Sequence, residues 1–317
     1  MRTLMVLGGG GAMGAYQAGA LLALADAGVV PDALFGCSAG ALNAAFFAQD
    51  PSRRRAEELA AWWTADTSRA LLSPSLQARL RTLASTTRRG AAALLDARDL
   101  RRVVEQNVSC HDLSELAVPV TVTTTCLDCA AAAHHSAGPV ADVLAASCAL
   151  PGLLPAVRLP DGHLHVDGGI VNGVPLDAAM AVAGPQDRVL VLDCGLAPVT
   201  SGAGCGTGLV GYGPAGCSLE PLEARPYVTP VERTPRAFDP VLRAFTAARA
   251  VASAMTVRPF LSDPRVLALP HLADAWAAGL LADLPRGSRD VSQAAALVEA
   301  GRGATTRWLA RDRISAG

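Results

Sequence analysis

The apolar positions of the first fifty residues repeat one pattern twice. "TLMVL", Thr3 to Leu7, is an unbroken apolar run that ends in glycines, and "ALFG", Ala33 to Gly36, runs into "CSAG". Short continuous apolar runs bounded by glycine are expected of strands covered on both faces. After each turn the pattern lengthens into a helix, from about Gly14 to Ala27 and over "ALNAAFFAQ", Ala41 to Gln49. Two strand-turn-helix units in succession predict βαβ topology and a parallel sheet.

Helical patterns with arginine-rich polar faces follow from Ser52 to Asn107. The β-branched run "PVTVTTTCL", Pro119 to Leu127, predicts a strand. "VADVLAASCAL" predicts a helix stopped by Pro151. "HLHVDGG", from His163, is a short strand entering a glycine turn, and "RVLVLDCG" and "RVLALP" are further buried strands. Ser201 to Pro235 is rich in Gly, Pro and Cys without a period, and is expected to form a long loop. Helices from about Pro240 to Val257 and from Ser292 to Arg311 close the chain. The expected architecture is a single domain over 1–317, α/β in class, with three α/β/α layers around a mostly parallel central sheet. It would carry the 201–235 loop and a C-terminal helical segment.

Composition narrows the function classes. Hydrophobic residues are 51% and charged residues 17%, which excludes a disordered chain. The net charge of −1 provides no field for nucleic acid or an anionic membrane, so no nucleic-acid partner is expected. Every basic residue is arginine, and a phosphate-binding P-loop cannot be built without its lysine. Eight cysteines stand without a repeating frame, some inside apolar runs, as expected of buried free thiols in a reducing compartment. Thr3 to Ala25 is uncharged, but six glycines interrupt it, and a strand, turn and helix fit it better than a membrane span. The chain is expected to be soluble and cytoplasmic.

Two glycine-bearing turns carry the chemistry. "GGGGAMG", Gly8 to Gly14, contains Gly9-x-Gly11-x-x-Gly14 between a strand and a helix, which is the context of a dinucleotide fingerprint. That use requires a carboxylate at the end of the second strand. Asp32 precedes that strand instead, so no cofactor is expected. The other use of such a loop is to aim N–H groups of Gly10 and Gly11 at an oxyanion, aided by the dipole of the following helix. "GCSAG" then fits a strand-to-helix elbow. Gly36 and Gly40 relieve crowding, Ser38 projects as a nucleophile, and the N–H of Ala39 can join the oxyanion hole. A base is offered by Asp167 in "HVDGG", with Gly168 and Gly169 allowing the chain to approach closely.

In combination and order, "GGGAMG", "GCSAG" and "DGG" resemble the patatin-like phospholipase family, as do "AASCALPGLLPAV" before the aspartate and "NGVPL" after it. The resemblance covers Thr3 to about Leu196 well and the C-terminal helix loosely. It implies a Ser38–Asp167 dyad, an oxyanion loop over Gly9, Gly10, Gly11 and Gly14, and hydrolysis of lipid acyl esters without a metal. An acyl ester or lipid is the implied partner, with transient contact to a membrane or micelle. An acyltransferase or thioesterase would use the same residues through the same acyl-enzyme. Met13 stands where the family's loop usually carries Arg or Lys, a position suited to holding the loop or an anionic head group.

Two further clusters compete for attention. "CLDC", Cys126 to Cys129, with His134 and His135 resembles part of a zinc site, but a single Cys-x-x-Cys without a second pair is a weak signal, and no metal is expected. His163, His165 and Asp167 share one face of a regular strand. That places His165 within range of a Ser-His-Asp triad, although a packing role fits it better.

Overall fold

The computed structural model describes residues 1–65, 97–194, 249, 251–281 and 291–312. The expected loop over 201–235 lies outside these residues, as do the middle of the 52–107 helical run and most of 240–250. The strands are β1 (Thr3–Leu7), β2 (Ala33–Cys37), β3 (Val120–Cys126), β4 (Ala131–His135), β5 (Val157–Arg158), β6 (Leu164–Asp167), β7 (Arg188–Leu192) and β8 (Val266–Ala268). They form one sheet in the order β5-β6-β3-β2-β1-β7-β8, with β4 added to β3. The β3–β2–β1–β7–β8 stretch is parallel, while β4, β5 and β6 pair antiparallel.

The period-two alternation of β1 explains why its sequence is apolar throughout. Met5 and Leu7 join one buried cluster with residues of α1 (Gly14–Asp26), α2 (Ala39–Ala48), α3 (Arg53–Thr64), α4 (Ala97–Asn107) and α5 (Val140–Ser147). Leu4 and Val6 face the other way, against Leu176 and Met180 of α6 (Leu176–Val182) and Val257 at the end of a helical segment over 251–257. Both faces of the sheet are therefore covered, as expected of a parallel sheet with helical crossovers.

α1 is buried from Gly14 to Leu24 with no polar face, because α3 and the last helix, α8 (Ala294–Asp312), enclose it. The shorter α7 (Leu272–Ala277) precedes α8. α1 and α8 meet backbone to backbone. A Cβ on Gly19 would lie 1.9 Å from the Val298 carbonyl oxygen, and one on Gly301 would lie 2.0 Å from that of Tyr16. Only glycine allows this approach from either side.

The register of β3 places the site. β4 pairs with β3 along Val122 to Cys126, so β2, which pairs with Leu34↔Val120 through Cys37↔Thr123, lies on the opposite edge. β6 pairs with Thr124 to Cys126 and must share that edge with β2. The rising β2 and the descending β6 thus meet tip to tip, with Cys37 opposite Thr123 and Asp167 opposite Thr124. The residue after β2 is Ser38.

Candidate active site

Ser38 adopts φ 53° and ψ −123°, a conformation that an L side chain occupies at a cost of about 1–3 kcal/mol. The surroundings hold it there. A Cβ on Gly40 would lie 2.1 Å from the Leu7 carbonyl oxygen, so the elbow closes onto the end of β1 only because residue 40 is glycine. The Ser38 N–H donates to Ser147 Oγ at 2.9 Å, and that hydroxyl donates to the Thr123 carbonyl at 2.7 Å. Ser147, in the "AASCALPG" stretch, therefore fastens the elbow to β3.

Ser38 Oγ donates to Asp167 Oδ2 at 2.8 Å, within the range for direct proton transfer. The other oxygen, Oδ1, accepts from Gly169 N–H at 2.8 Å, and Thr125 Oγ1 donates to the Asp167 carbonyl at 2.9 Å. Asp167 is 1% exposed. Burial pushes its carboxyl above the usual range. The nearby Arg249 guanidinium, the Ser38 hydroxyl and the Gly169 N–H each pull it back. Burial also holds the thiols of Cys37 and Cys194 well above their ordinary range, so these cysteines stay neutral.

The glycine loop lies against the serine, since a Cβ on Gly9 would sit 3.2 Å from Ser38 Cβ. Gly11 has φ 61°, the left-handed region that glycine adopts freely. Two of the glycines expected in the oxyanion hole have their donors engaged elsewhere. Gly9 N–H donates to the Gly173 carbonyl at 2.8 Å, and Gly14 N–H turns back to the carbonyls of Gly11 and Ala12. Gly9 and Gly14 therefore shape the loop, which leaves Gly10, Gly11 and Ala39 of the expected donors. A buried amide network fixes this geometry. Gln17 Nε2 donates to the carbonyls of Gly8 and Leu192, Asn43 Nδ2 donates to Gly14 O and Gln17 Oε1, and Trp63 Nε1 donates to Asn43 Oδ1.

Met13 is fully buried in the main apolar cluster, so it is a packing residue and contacts no head group. The cation that holds the loop comes from elsewhere, as Arg249 donates to the Gly9 carbonyl. No local motif marks Arg249, because it is one arginine in an alanine-rich helical run, distant in sequence from every residue it serves. His165 is buried, and both its ring nitrogens are engaged by residues other than Ser38 and Asp167. Its Nδ1 is hydrogen-bonded with Thr124 Oγ1 at 2.8 Å, and its Nε2 with Asp161 Oδ2 at 2.9 Å. His134 and His135 are hydrogen-bonded with Thr123 and Thr124 and not with the cysteines of "CLDC". The histidine beside those cysteines is His163.

Among the described residues, no helix is long and apolar enough to cross a membrane. The patatin-like phospholipase family model matches residues 5–180. Patatin-like phospholipase domain-containing protein 6 of Mus musculus is 32% identical over 209 residues, covering 66% of this chain and 14% of that protein. The Drosophila melanogaster neuropathy target esterase sws is 31% identical over 176 residues, or 55% of this chain and 12% of its own length. The chain thus matches a small part of these much longer relatives. A structural neighbour, VipD from Legionella pneumophila, aligns over 60% of this chain and 49% of its own, with 17% identity and a TM-score of 0.39. Since the matched segment spans more than half the chain and takes in the glycine loop, the serine elbow and the buried aspartate, this chain belongs to the patatin-like phospholipase family.

Proposed function

We propose that the protein is a serine hydrolase that cleaves acyl esters of lipids through a Ser38–Asp167 dyad, with 1–317 acting as one catalytic domain. The 2.8 Å contact between Ser38 Oγ and the buried Asp167 carboxylate carries this reading. Ser38 Oγ attacks the ester carbonyl carbon while its proton passes to Asp167 Oδ2. A carboxylate is a weak base towards a hydroxyl, so transfer and attack are concerted. The carbonyl oxygen becomes an oxyanion facing the N–H groups of Gly10, Gly11 and Ala39. Collapse expels the alkoxide, which takes the proton from Asp167 and leaves as the alcohol. Water then attacks the acyl-enzyme and gives one proton to Asp167. The second collapse breaks the bond to Ser38, whose oxygen recovers that proton, and the fatty acid leaves.

Strain at Ser38 supports the same reading, since a positive φ on a serine is held where a side chain must be aimed. A fluorophosphonate probe tests the assignment. Peptide mapping is expected to place the label on Ser38 alone, and Ser38→Ala to abolish both labelling and ester turnover. Labelling that survives Ser38→Ala refutes it. Added alcohols distinguish water from another acceptor, because a hydrolase releases free acid at an unchanged rate.

A further inference from the structure

We propose that Cys126, Cys129 and His163 form a binding site for a thiophilic divalent cation, of which Zn²⁺ is the fitting member, separate from the Ser38–Asp167 pair. The two sulfurs and His163 Nδ1 all lie within 4.8 Å of one another. His163 Nδ1 is 3.4 Å from Cys126 Sγ and 3.3 Å from Cys129 Sγ. Tetrahedral zinc, with bonds of about 2.3 Å to sulfur and 2.05 Å to nitrogen, sets each S···N separation at about 3.6 Å. A shift of a few tenths of an ångström therefore brings each S···N separation to the zinc value.

The backbone presents the ligands without rearrangement. Cys126 ends β3, and Cys129 lies in the turn to β4, where its N–H donates to Cys126 Sγ at 3.3 Å. Such a donor stabilises a thiolate, the form that binds metal. His163 comes from the turn between β5 and β6. The two turns are tied together, with Leu127 N–H donating to Leu164 O at 2.8 Å and Leu164 N–H to Asp128 Oδ2 at 2.7 Å. Cys126 is buried, His163 is half-buried and Cys129 is exposed, so the ion has a protein wall on one side and a path from solvent on the other. Three protein ligands leave a fourth position for water. Two thiolates and one imidazole select zinc over magnesium or calcium. Binding releases the two thiol protons, so affinity rises with pH. The site clamps two hairpin turns four residues before Asp167, too far along the strand to touch the reacting atoms.

The test uses the full chain, reduced and stripped with a chelator. Zn²⁺ content is measured after desalting, and Co²⁺ binding is followed by thiolate-to-cobalt charge-transfer absorption. One metal per chain is expected, with two protons released. Cys129→Ser, an exposed change, and His163→Gln should each weaken binding by more than about 100-fold, beyond the loss from a supporting residue. Circular dichroism should show both variants folded, and Cys110→Ser should bind normally. The proposal is overturned if the reduced wild type retains no metal, if Cys129→Ser and His163→Gln bind as tightly as wild type, or if Cys110→Ser loses the ion. It is equally overturned if mass spectrometry finds a Cys126–Cys129 disulfide in the reduced, zinc-treated protein.

Discussion

Replacing Arg249 with methionine should move the acid limb of the pH–activity profile upward. Arg249 Nε lies 3.0 Å, and Asp167 Oδ1 2.9 Å, from the point where a Cβ on Gly169 would stand. The two groups are therefore no more than about 6 Å apart, within the range in which an opposite charge stabilises a carboxylate. At about 6 Å and an effective dielectric of about 20 the attraction is about 2.8 kcal/mol, equivalent to about two pH units. Solvent around the half-buried guanidinium screens part of this, and we expect a displacement of about one unit. The sign follows from the chemistry. In the proposed dyad Asp167 works as an anion, so kcat/KM should fall as pH drops through its pKa, and removing the neighbouring cation raises that pKa. The assay is kcat/KM for a soluble p-nitrophenyl ester from pH 4 to 9, for wild type, Arg249→Met and Arg249→Lys. Arg249 also holds the Gly9 carbonyl, so the methionine variant should show a lower plateau as well. A lower plateau alone reports loop geometry, whereas displacement of the limb reports charge. The lysine variant should keep its limb near the wild-type position. If the methionine limb stays within about 0.3 unit of wild type, electrostatic support of Asp167 by Arg249 is refuted.

Asp167→Asn should be inactive yet more thermostable. Because the folded-state pKa is raised, the favourable protonated state is fully available only below the unfolded value, and its stabilisation is lost as pH rises through the folded pKa. At neutral pH the buried anion therefore costs stability that a neutral amide removes, and calorimetry giving a lower Tm for the variant would contradict this. Gly11→Ala should fold but lose about 100- to 1,000-fold in turnover, because a side chain at φ 61° disturbs the oxyanion donors. Unchanged turnover would remove the loop from the chemistry. His165→Gln should lower Tm through its lost contacts to Thr124 and Asp161 while activity stays within about ten-fold. A variant as inactive as Ser38→Ala would establish a triad.

What the sequence revealed was local. β1 coincides with its apolar run, and β2 extends one residue beyond its own, because both are covered on two faces and have no polar alternation to confuse the reading. The elbow and the Asp-Gly-Gly turn were legible because each packs its chemistry into a few adjacent residues. β4 was invisible, since "AAAHH" holds no β-branched or aromatic strand former and pairs only as an edge on β3. β5 is two residues long, and α6 follows Pro175 with too short a period to register. Arg249, Ser147, Gln17 and Asn43 act through contacts that only the folded chain creates. The adjacent pair His134–His135 drew attention to the wrong histidines, because neighbours on a strand point to opposite faces while His163 reaches the cysteines from another hairpin.

The contact between α1 and α8 sets a timetable for biosynthesis. Gly19 emerges from the ribosome about 280 residues before Val298, and at about 5–20 residues per second that is a delay of roughly 15–55 s. Throughout that interval α1, which has no polar face, lacks one of the two helices that enclose it. The serine elbow, the glycine loop and the aspartate have all been translated by then, but the helix that leads out of the loop has not been seated. Activity should therefore arise late and abruptly during translation. The nascent chain would have its greatest need of chaperones between the synthesis of its first helix and that of α8.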